Sequence, residues 1–425
     1  MNSQTSTIIN VNTINDFLKK FSFTDDGGLF SDALNKQTSI EQIIINDNKY
    51  NKYINEYWTP KQRRANSLHE ISYRACFKPQ LPRFFVKLLT KNDDTVYDPF
   101  SGRGTTILEA ALLGRNIIAN DINPISTILS EPRLCIPNIY ELDRRLDKII
   151  SNKKIQSDLD LSMFYHPETL AQIMSIKNYL QLKKITDSED GLDKWIRMVS
   201  TNRLTGHSPG FFSVYTLPPN QAVSPQSQIK INIKNGLIPE YRDVKKIILI
   251  KTKRLIKDID NDTRATLFKI ATGARFYNLD ARKTSEIQNE SVKLTVTSPP
   301  FLDVVQYAQD NWLRCWFNNI NVDIIEKNIT MSKNITDWCN IMQETFNELY
   351  RLTKPDGWVA FEVGEIRNGS INLEEYVIPL GEKSGFRCEG VLINKQSFTK
   401  TANIWGVKNN TDGTNSNRIV LFYKS

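Results

Sequence analysis

The stretch from Thr95 to Asp121 constrains the fold more than any other part of the 425-residue chain. Thr95 to Tyr97 reads as a short strand, and Asp98-Pro99-Phe100-Ser101-Gly102-Arg103-Gly104-Thr105-Thr106 follows it as a glycine-bearing loop. Thr105 to Leu113 has helical character and is ended by Gly114, which suits a left-handed C-terminal cap. Asn116 to Ala119 is a second strand, ending in Asn120-Asp121-Ile122-Asn123-Pro124. Strand, glycine loop, helix and strand make a βαβ unit, and such a unit implies a parallel sheet with a right-handed crossover. The expected class is therefore α/β, doubly wound.

A glycine loop after a parallel strand lets backbone approach a ligand at the carboxyl edge of the sheet. The spacing here is Phe-x-Gly-x-Gly with two threonines, which departs from the GxGxxG dinucleotide fingerprint and favours a cofactor without a pyrophosphate. Asp98, Asp121 and Asp280 close three successive strands. Asp121 stands where a carboxylate can accept both ribose hydroxyls, and Asp280, after Ala274-Arg275-Phe276-Tyr277-Asn278-Leu279, where one can accept an adenine amino proton. An acid at a strand end is more often a turn or helix cap. Three beside one glycine loop point to an adenosine-bearing cofactor.

A second loop carries the reactive signal. The apolar run Val292 to Val296 leads into Thr297-Ser298-Pro299-Pro300-Phe301. Two prolines fix the backbone and remove two amide donors, so this loop offers a hydroxyl, bare carbonyls and an aromatic face, suited to a flat molecule with an amino group. Asp303, Tyr307, Asp310 and Trp312 follow and are candidates to line the pocket, although Trp312 and Trp316 at i, i+4 read as core.

Between these motifs the pattern breaks for about 150 residues, far more than a helical crossover needs. The expected organisation is an N-terminal segment 1–57, with short helices near Asn15 to Lys20 and Ile40 to Ile45; a first α/β part 58–129; an insertion 130–270; and a second α/β part 271–425. In the last part, Asp337 to Leu352 is an amphipathic helix, Lys354-Pro355-Asp356-Gly357 turns into the strand Trp358 to Val363, and Gly390 to Ile393 and Arg418 to Tyr423 complete the sheet.

The net charge of +8 is unevenly placed. From Lys230 to Arg275 there are 12 Lys+Arg against 5 Asp+Glu, so this stretch alone carries +7. Such a stripe is the footprint of a polyanion binder, or else a solvated helix face. Arg242 to Ile259 has Val244, Ile247, Ile248, Leu255 and Ile259 on one side, leaving Lys245, Lys246, Lys253, Arg254 and Lys257 as candidate DNA contacts. Five scattered cysteines without a CxxC pair and three histidines argue against most metal chemistry and suit a reducing cytoplasm. No cysteine follows a proline, so the Pro-Cys nucleophile of a carbon-5 cytosine methyltransferase is absent. No apolar run approaches the ~18 residues of a membrane span, and the polar start does not read as a secretory signal.

The two loops together resemble the S-adenosylmethionine-dependent methyltransferases that modify exocyclic amino groups of DNA bases, over roughly Tyr73 to Asp121 and Leu279 to Tyr423. The resemblance implies a Rossmann-like class I methyltransferase fold with a seven-stranded, mostly parallel sheet and a large insertion. It implies that Asp98, Phe100, Gly102 and Gly104 hold the methionine part of S-adenosyl-L-methionine, with Thr105 and Thr106 near its carboxylate, Asp121 and Ile122 at the ribose and Asp280 at the adenine. Phe77 to Pro82 resembles the family's further cofactor motif, so Phe77 and Pro79 join the candidates. The catalytic loop would be Ser298, Pro299, Pro300 and Phe301. An acid or amide in the first place of that loop usually goes with adenine; Ser298 points to N(4) of cytosine.

The implied substrate is double-stranded DNA with the target base flipped out, and the implied partner a cognate restriction endonuclease. The alternatives are an N(6)-adenine methyltransferase, an RNA amino-methyltransferase, and an inactive DNA-binding subunit. The spacing departs from the familiar order in one respect: the adenine acid and catalytic loop are only 18 residues apart, and the long insertion falls before them. Base recognition is assigned to that insertion for its charge, with Lys395 to Arg418 as a rival segment.

Overall fold

The strands of this chain send successive side chains to opposite faces, and the sheet they build is covered on both. The computed structural model describes residues 10–22, 37–58, 65–73, 76–150, 155, 157–216, 222–300, 307–323, 334–363, 365–366, 371–395 and 416–425. In chain order the first elements are α1 (Val11–Lys20), β1 (Ser39–Ile45), β2 (Asn48–Asn55), α2 (Gln80–Leu89), β3 (Thr95–Asp98), α3 (Thr105–Leu112), β4 (Asn116–Asn120) and α4 (Ile125–Ser130). A helical stretch follows: α5 (Ile139–Ile149), α6 (Pro167–Ile185), α7 (Gly191–Arg203), α8 (Pro225–Asn235), α9 (Val244–Leu255) and α10 (Asn261–Gly273). The chain then returns through β5 (Arg275–Tyr277), β6 (Val292–Thr297), α11 (Tyr307–Phe317), α12 (Ile335–Leu352), β7 (Thr353–Val363), β8 (Glu365–Ile366), β9 (Ile371–Asn372), α13 (Glu374–Lys383), β10 (Arg387–Lys395) and β11 (Ser416–Tyr423).

The main sheet has nine strands in the order β1-β2-β10-β11-β7-β6-β3-β4-β5. Seven of them, β10 to β5 in that order, form the expected doubly wound core, parallel from β7 through β5 with β11 inserted antiparallel between β7 and β10. The other two are a correction to the sequence reading, which expected a helix over Ile40 to Ile45. That segment is β1, paired antiparallel with β2, and β2 runs parallel to β10. Isoleucines lose side-chain freedom in a helix and fit a pleated surface. Asn46 and Asp47 both take positive φ, the geometry of a tight two-residue hairpin turn.

Alternate residues of each strand feed separate cores. Val96, Leu294, Val296, Trp358, Ala360, Ile419 and Leu421 lie on one face, in a core that is continuous with α2, α3 and buried residues of α5, α6, α7 and α9. Tyr97, Val359, Phe361, Val363, Val420 and Phe422 lie on the other, under α12 and α13. The helices between β4 and β5 thus share an apolar core with one face of the sheet. The Lys354 to Gly357 turn is accommodated inside β7, where the pairing with β6 shifts register and Asp356 takes positive φ.

Strand order reverses between β3 and β6: β4 and β5 are added on one side of β3, and β7 on the far side of β6. Open α/β sheets bind ligands at such a switch point. The glycine loop leaves β3 and the Ser298 loop leaves β6, so both loops open at this position.

Candidate active site

The two loops are joined by a direct bond. The Thr297 hydroxyl donates to Asp98 Oδ1 at 2.7 Å, across 199 positions of sequence. Asp98 is only 1% exposed and also accepts from the Phe100 amide at 3.2 Å, and the Ser101 hydroxyl donates to the Asp98 carbonyl at 2.8 Å. Burial pushes its carboxyl up to about 7 against these bonds. Thr106 is fully buried and donates to the Val296 carbonyl at 3.0 Å, so it ties α3 to β6. Thr105 accepts from Arg103 Nε at 3.2 Å. Both threonines therefore brace the loop from beneath.

Gly104 caps α3 at φ +72°, where a Cβ would lie 2.5 Å from the Ser130 Cβ; only glycine fits there. Gly102, at φ +52°, turns its amide onto Asp121 Oδ2 at 2.8 Å, and the Asn123 amide reaches Oδ1 at 2.9 Å. Asp121 is half-buried, with its carboxyl pushed up to about 6 by desolvation. Ile122 beside it is half-buried as well. Asn120 locks the edge: its amide donates to the Leu279 carbonyl at 3.0 Å and its oxygen accepts from the Leu279 amide at 2.9 Å. Asp280 is thereby placed one strand beyond Asp121, but its carboxylate is already engaged by Arg282, whose Nε lies 3.0 Å from both oxygens. That pair holds the Asp280 carboxyl below its ordinary value although burial works against it. Phe100 is half-buried against the α12 and α13 face of the sheet. Phe77 packs against the other core, Pro79 starts α2, and Tyr73 and Cys76 approach within 4.0 Å of where a Gly102 side chain would begin.

In the second loop, Ser298 is half-buried, Pro299 is buried and the Pro300 carbonyl accepts from the Trp338 indole at 3.1 Å. Phe301 and Asp303 lie outside the described residues. Trp312 donates to the Val223 carbonyl and stacks near Phe164, while Trp316 donates to Asp158, so both join α11 to the helical stretch, in keeping with the core reading.

One residue was missed by the sequence reading. Glu362, on β7, is buried and accepts from the Asn417 amide, and burial pushes its carboxyl up to about 7, with Asn417 and the neighbouring Ser298 working against that rise. A lone acid within Trp358-Val359-Ala360-Phe361-Glu362-Val363, an otherwise apolar run, was the available signal. Ser298 lies near enough to lower the Glu362 carboxyl, and its hydroxyl oxygen carries lone pairs that can accept from another donor.

The candidate DNA contacts of α9 divide. Lys245 is paired with Asp143 at 3.0 Å and with Asp147, and Lys257 lies 3.5 Å from Glu70. Lys246, Lys253 and Arg254 are exposed. Among the described residues no cluster of His, Cys, Asp and Glu is arranged to hold a metal ion, and no helix is long and apolar enough to cross a membrane.

The site thus defines a small-ligand edge with buried, backbone-held carboxylates next to a proline-fixed acceptor loop. Those acids suit a cationic, hydroxyl-bearing ligand such as S-adenosylmethionine. Residues 10–128 match a family model described as DNA methylase, N6_N4_Mtase. Three curated proteins are similar. The type II methyltransferase M.MjaII of Methanocaldococcus jannaschii is 25% identical over 231 residues, 50% of this chain and 43% of that protein. M.BsoBI of Geobacillus stearothermophilus is 37% identical over 120 residues, 27% of this chain and 23% of that one. M.MvaI of Kocuria varians is 24% identical over 310 residues, 66% and 62% of the two chains. The aligned stretches span under two thirds of each relative. A solved S-adenosylmethionine-dependent methyltransferase from Methanosarcina mazei shares 9% identity over 79% of this chain and 94% of its own, with a TM-score of 0.28. The family model and the curated relatives support placing this chain in the exocyclic-amino DNA methyltransferase family.

Proposed function

We propose that the protein transfers a methyl group from S-adenosyl-L-methionine to the exocyclic N(4) of cytosine at a short site in double-stranded DNA. Its biological setting would be the modification half of a restriction-modification system, beside a cognate endonuclease. The observation that supports this best is the Thr297–Asp98 hydrogen bond, which ties the serine–proline loop to the cofactor edge and so sets Ser298 next to it as an acceptor for a donor such as an amine.

Asp98 and Asp121, with the Gly102 turn between them, would hold the cofactor, and Asp280 would reach its adenine by sharing its oxygens between Arg282 and the ring amine. When bound, S-adenosylmethionine supplies an electrophilic methyl group. The chain supplies orientation. An aromatic amine is a poor nucleophile because its lone pair is delocalised into the ring; acceptors at Ser298 Oγ and the Pro299 carbonyl hold its two protons out of plane and restore that lone pair. Phe301 would stack on the extruded base, whose flipping costs a few kcal/mol. No strong base is needed before attack, since the proton leaves afterwards, and Glu362 behind Ser298 is poised near neutrality to accept it. Orientation of this kind is worth on the order of 7–11 kcal/mol in favourable cases.

Incubation of the purified protein with methyl-labelled cofactor and duplex DNA, followed by digestion to nucleosides, should yield N(4)-methylcytosine. N(6)-methyladenine alone would assign the other base, and label confined to RNA would remove DNA as the substrate.

A further inference from the structure

A cavity of about 430 Å³ lies next to the glycine loop, lined by the segment 69–73, Arg103, Arg203 at the C-terminal end of α7, His207, Phe211 and Lys251 of α9. We propose that this cavity seats a phosphodiester of the DNA strand that delivers the target base, held by Arg203, Lys251 and Arg103, with His207 at its mouth. The proposal rests on the reading of the protein as a DNA methyltransferase.

The walls carry three cationic side chains, Arg103, Arg203 and Lys251. Arg203 and Lys251 are each only 7% exposed, and among the described residues lining the cavity Glu70 is the single acid. Glu70 stands 3.9 Å from the Lys251 ammonium and 3.5 Å from that of Lys257, with its own side chain half in solvent. Arg203 donates to the Asn202 carbonyl at 3.1 Å and lies 3.9 Å from the centre of the Phe211 ring, both neutral partners. The charges of Arg314 and Arg254 repel that of Arg203, and those of Arg203, Arg254 and Lys257 repel that of Lys251. Burial and this mutual repulsion push the Lys251 ammonium down to about 8. Buried like charges are unfavourable until an anion enters among them.

The shape favours a phosphate within a strand. Tyr73 and Phe211 add aromatic walls to the cationic ones, the combination that nucleic-acid grooves use. Arg103 links the cavity to the glycine loop: its guanidinium donates to the His69 carbonyl at 3.2 Å and the Ile71 carbonyl at 2.8 Å. Arg314 of α11 donates to the Ser72 carbonyl at 3.2 Å, so the element that follows the catalytic loop braces the same wall. His207 is exposed, so the mouth is open to solvent. A strand held here would lie against both loops.

The test measures duplex-DNA affinity against salt concentration, cofactor affinity, and thermal stability for the wild type, Arg203→Gln, Lys251→Gln and the rim variant His207→Glu. Each variant should weaken duplex binding about tenfold and reduce the salt slope by about one, with cofactor affinity changed less than twofold. His207→Glu changes only an exposed side chain, so it reports even if a buried replacement fails to fold. Unchanged duplex affinity and slope in folded variants, with wild-type protein still methylating DNA, would overturn the phosphate seat alone. Loss of cofactor affinity instead of DNA affinity would reassign the cavity to the cofactor's carboxylate and overturn it too. Inorganic phosphate that stabilises the wild type but does not compete with duplex would mark a small-anion site, again against the proposal. If wild-type protein neither binds nor methylates duplex DNA, the functional reading fails and takes the seat with it.

Discussion

The two sides of the glycine loop differ in sign. On one side the buried Asp98 and the half-buried Asp121 are carboxylates held by backbone amides and a threonine hydroxyl. On the other, Arg103, Arg203 and Lys251 line a cavity in which Glu70 is the one acid among the described lining residues. Gly102 serves the first side through its amide and Arg103 the second through its side chain. A short loop thus separates a place suited to a cation from a place suited to a polyanion. A transfer between a sulfonium donor and a nucleic-acid acceptor needs that separation, since each charged partner would otherwise compete for the wrong seat.

The largest effect should come at the Ser298 loop, where the two seats meet. Ser298→Ala removes the acceptor proposed to meet the amine. Turnover should fall on the order of 10²-fold, the scale seen when one preorganised polar group is deleted from an active site. Cofactor affinity and duplex affinity, measured by calorimetry and fluorescence anisotropy, should each stay within about threefold. A parallel loss of both affinities would mean that the serine holds the loop together and does not act on the base.

The acid side is probed next. Asp121→Ala leaves the Gly102 and Asn123 amides without their acceptor, and a hydrogen bond to a charged group contributes about 1.5–3 kcal/mol. Cofactor affinity should fall by roughly 10- to 100-fold, while duplex affinity without cofactor is retained. If the variant loses DNA binding to the same extent, the glycine loop does not partition the two ligands.

Much of the acid side was legible from sequence. Glycines, strand-end acids and the βαβ period are local signals, and Gly104 meets a strict local demand, its positive φ against Ser130. The N-terminal hairpin was read as a helix because isoleucines at Ile40, Ile43 and Ile44 fit a helical spacing as well as a strand, and the Asn46-Asp47 turn decides between them. The basic side was less legible, because its residues come from four separate segments. Even so, Lys251 lies three residues after Ile248 and four before Leu255, on the buried stripe of α9, where a charge has to be explained. Counting lysines draws attention to the other face of that helix, where Lys245 is paired with acids of α5. Glu362 likewise stands in an apolar run, and a buried charge is the more telling kind.

Glu362 gives a pH-dependent test. Burial raises its carboxyl to about 7, so below that pH the group is protonated, can no longer accept the proton released by the amine, and turnover should decline. The acid limb of kcat should therefore centre near 7 in the wild type. Glu362→Gln cannot ionise; it should lower turnover at pH 8 about tenfold, within the range for a lost proton-transfer contribution, and abolish that limb. Asp98, also raised to about 7, remains in the variant, so a limb that persists would assign the titration to Asp98 and remove Glu362 from the reaction.

The smallest effect is expected on the outer face of α9. Lys246, Lys253 and Arg254 are exposed, and their charges are hydrated and screened in physiological salt, where the Debye length is about 8 Å. Lys251, on the same helix but buried at the cavity, is not screened in this way. Changing the three exposed residues together to glutamine should weaken duplex binding less than about threefold at 0.15 M salt, through general attraction that steers encounter. The loss should shrink further as salt is raised, and turnover on saturating DNA should be unchanged. If the triple variant instead reduces the salt slope by more than Lys251→Gln does, phosphates sit on the outer face of α9, and the charge segregation at the glycine loop is not the polyanion's seat.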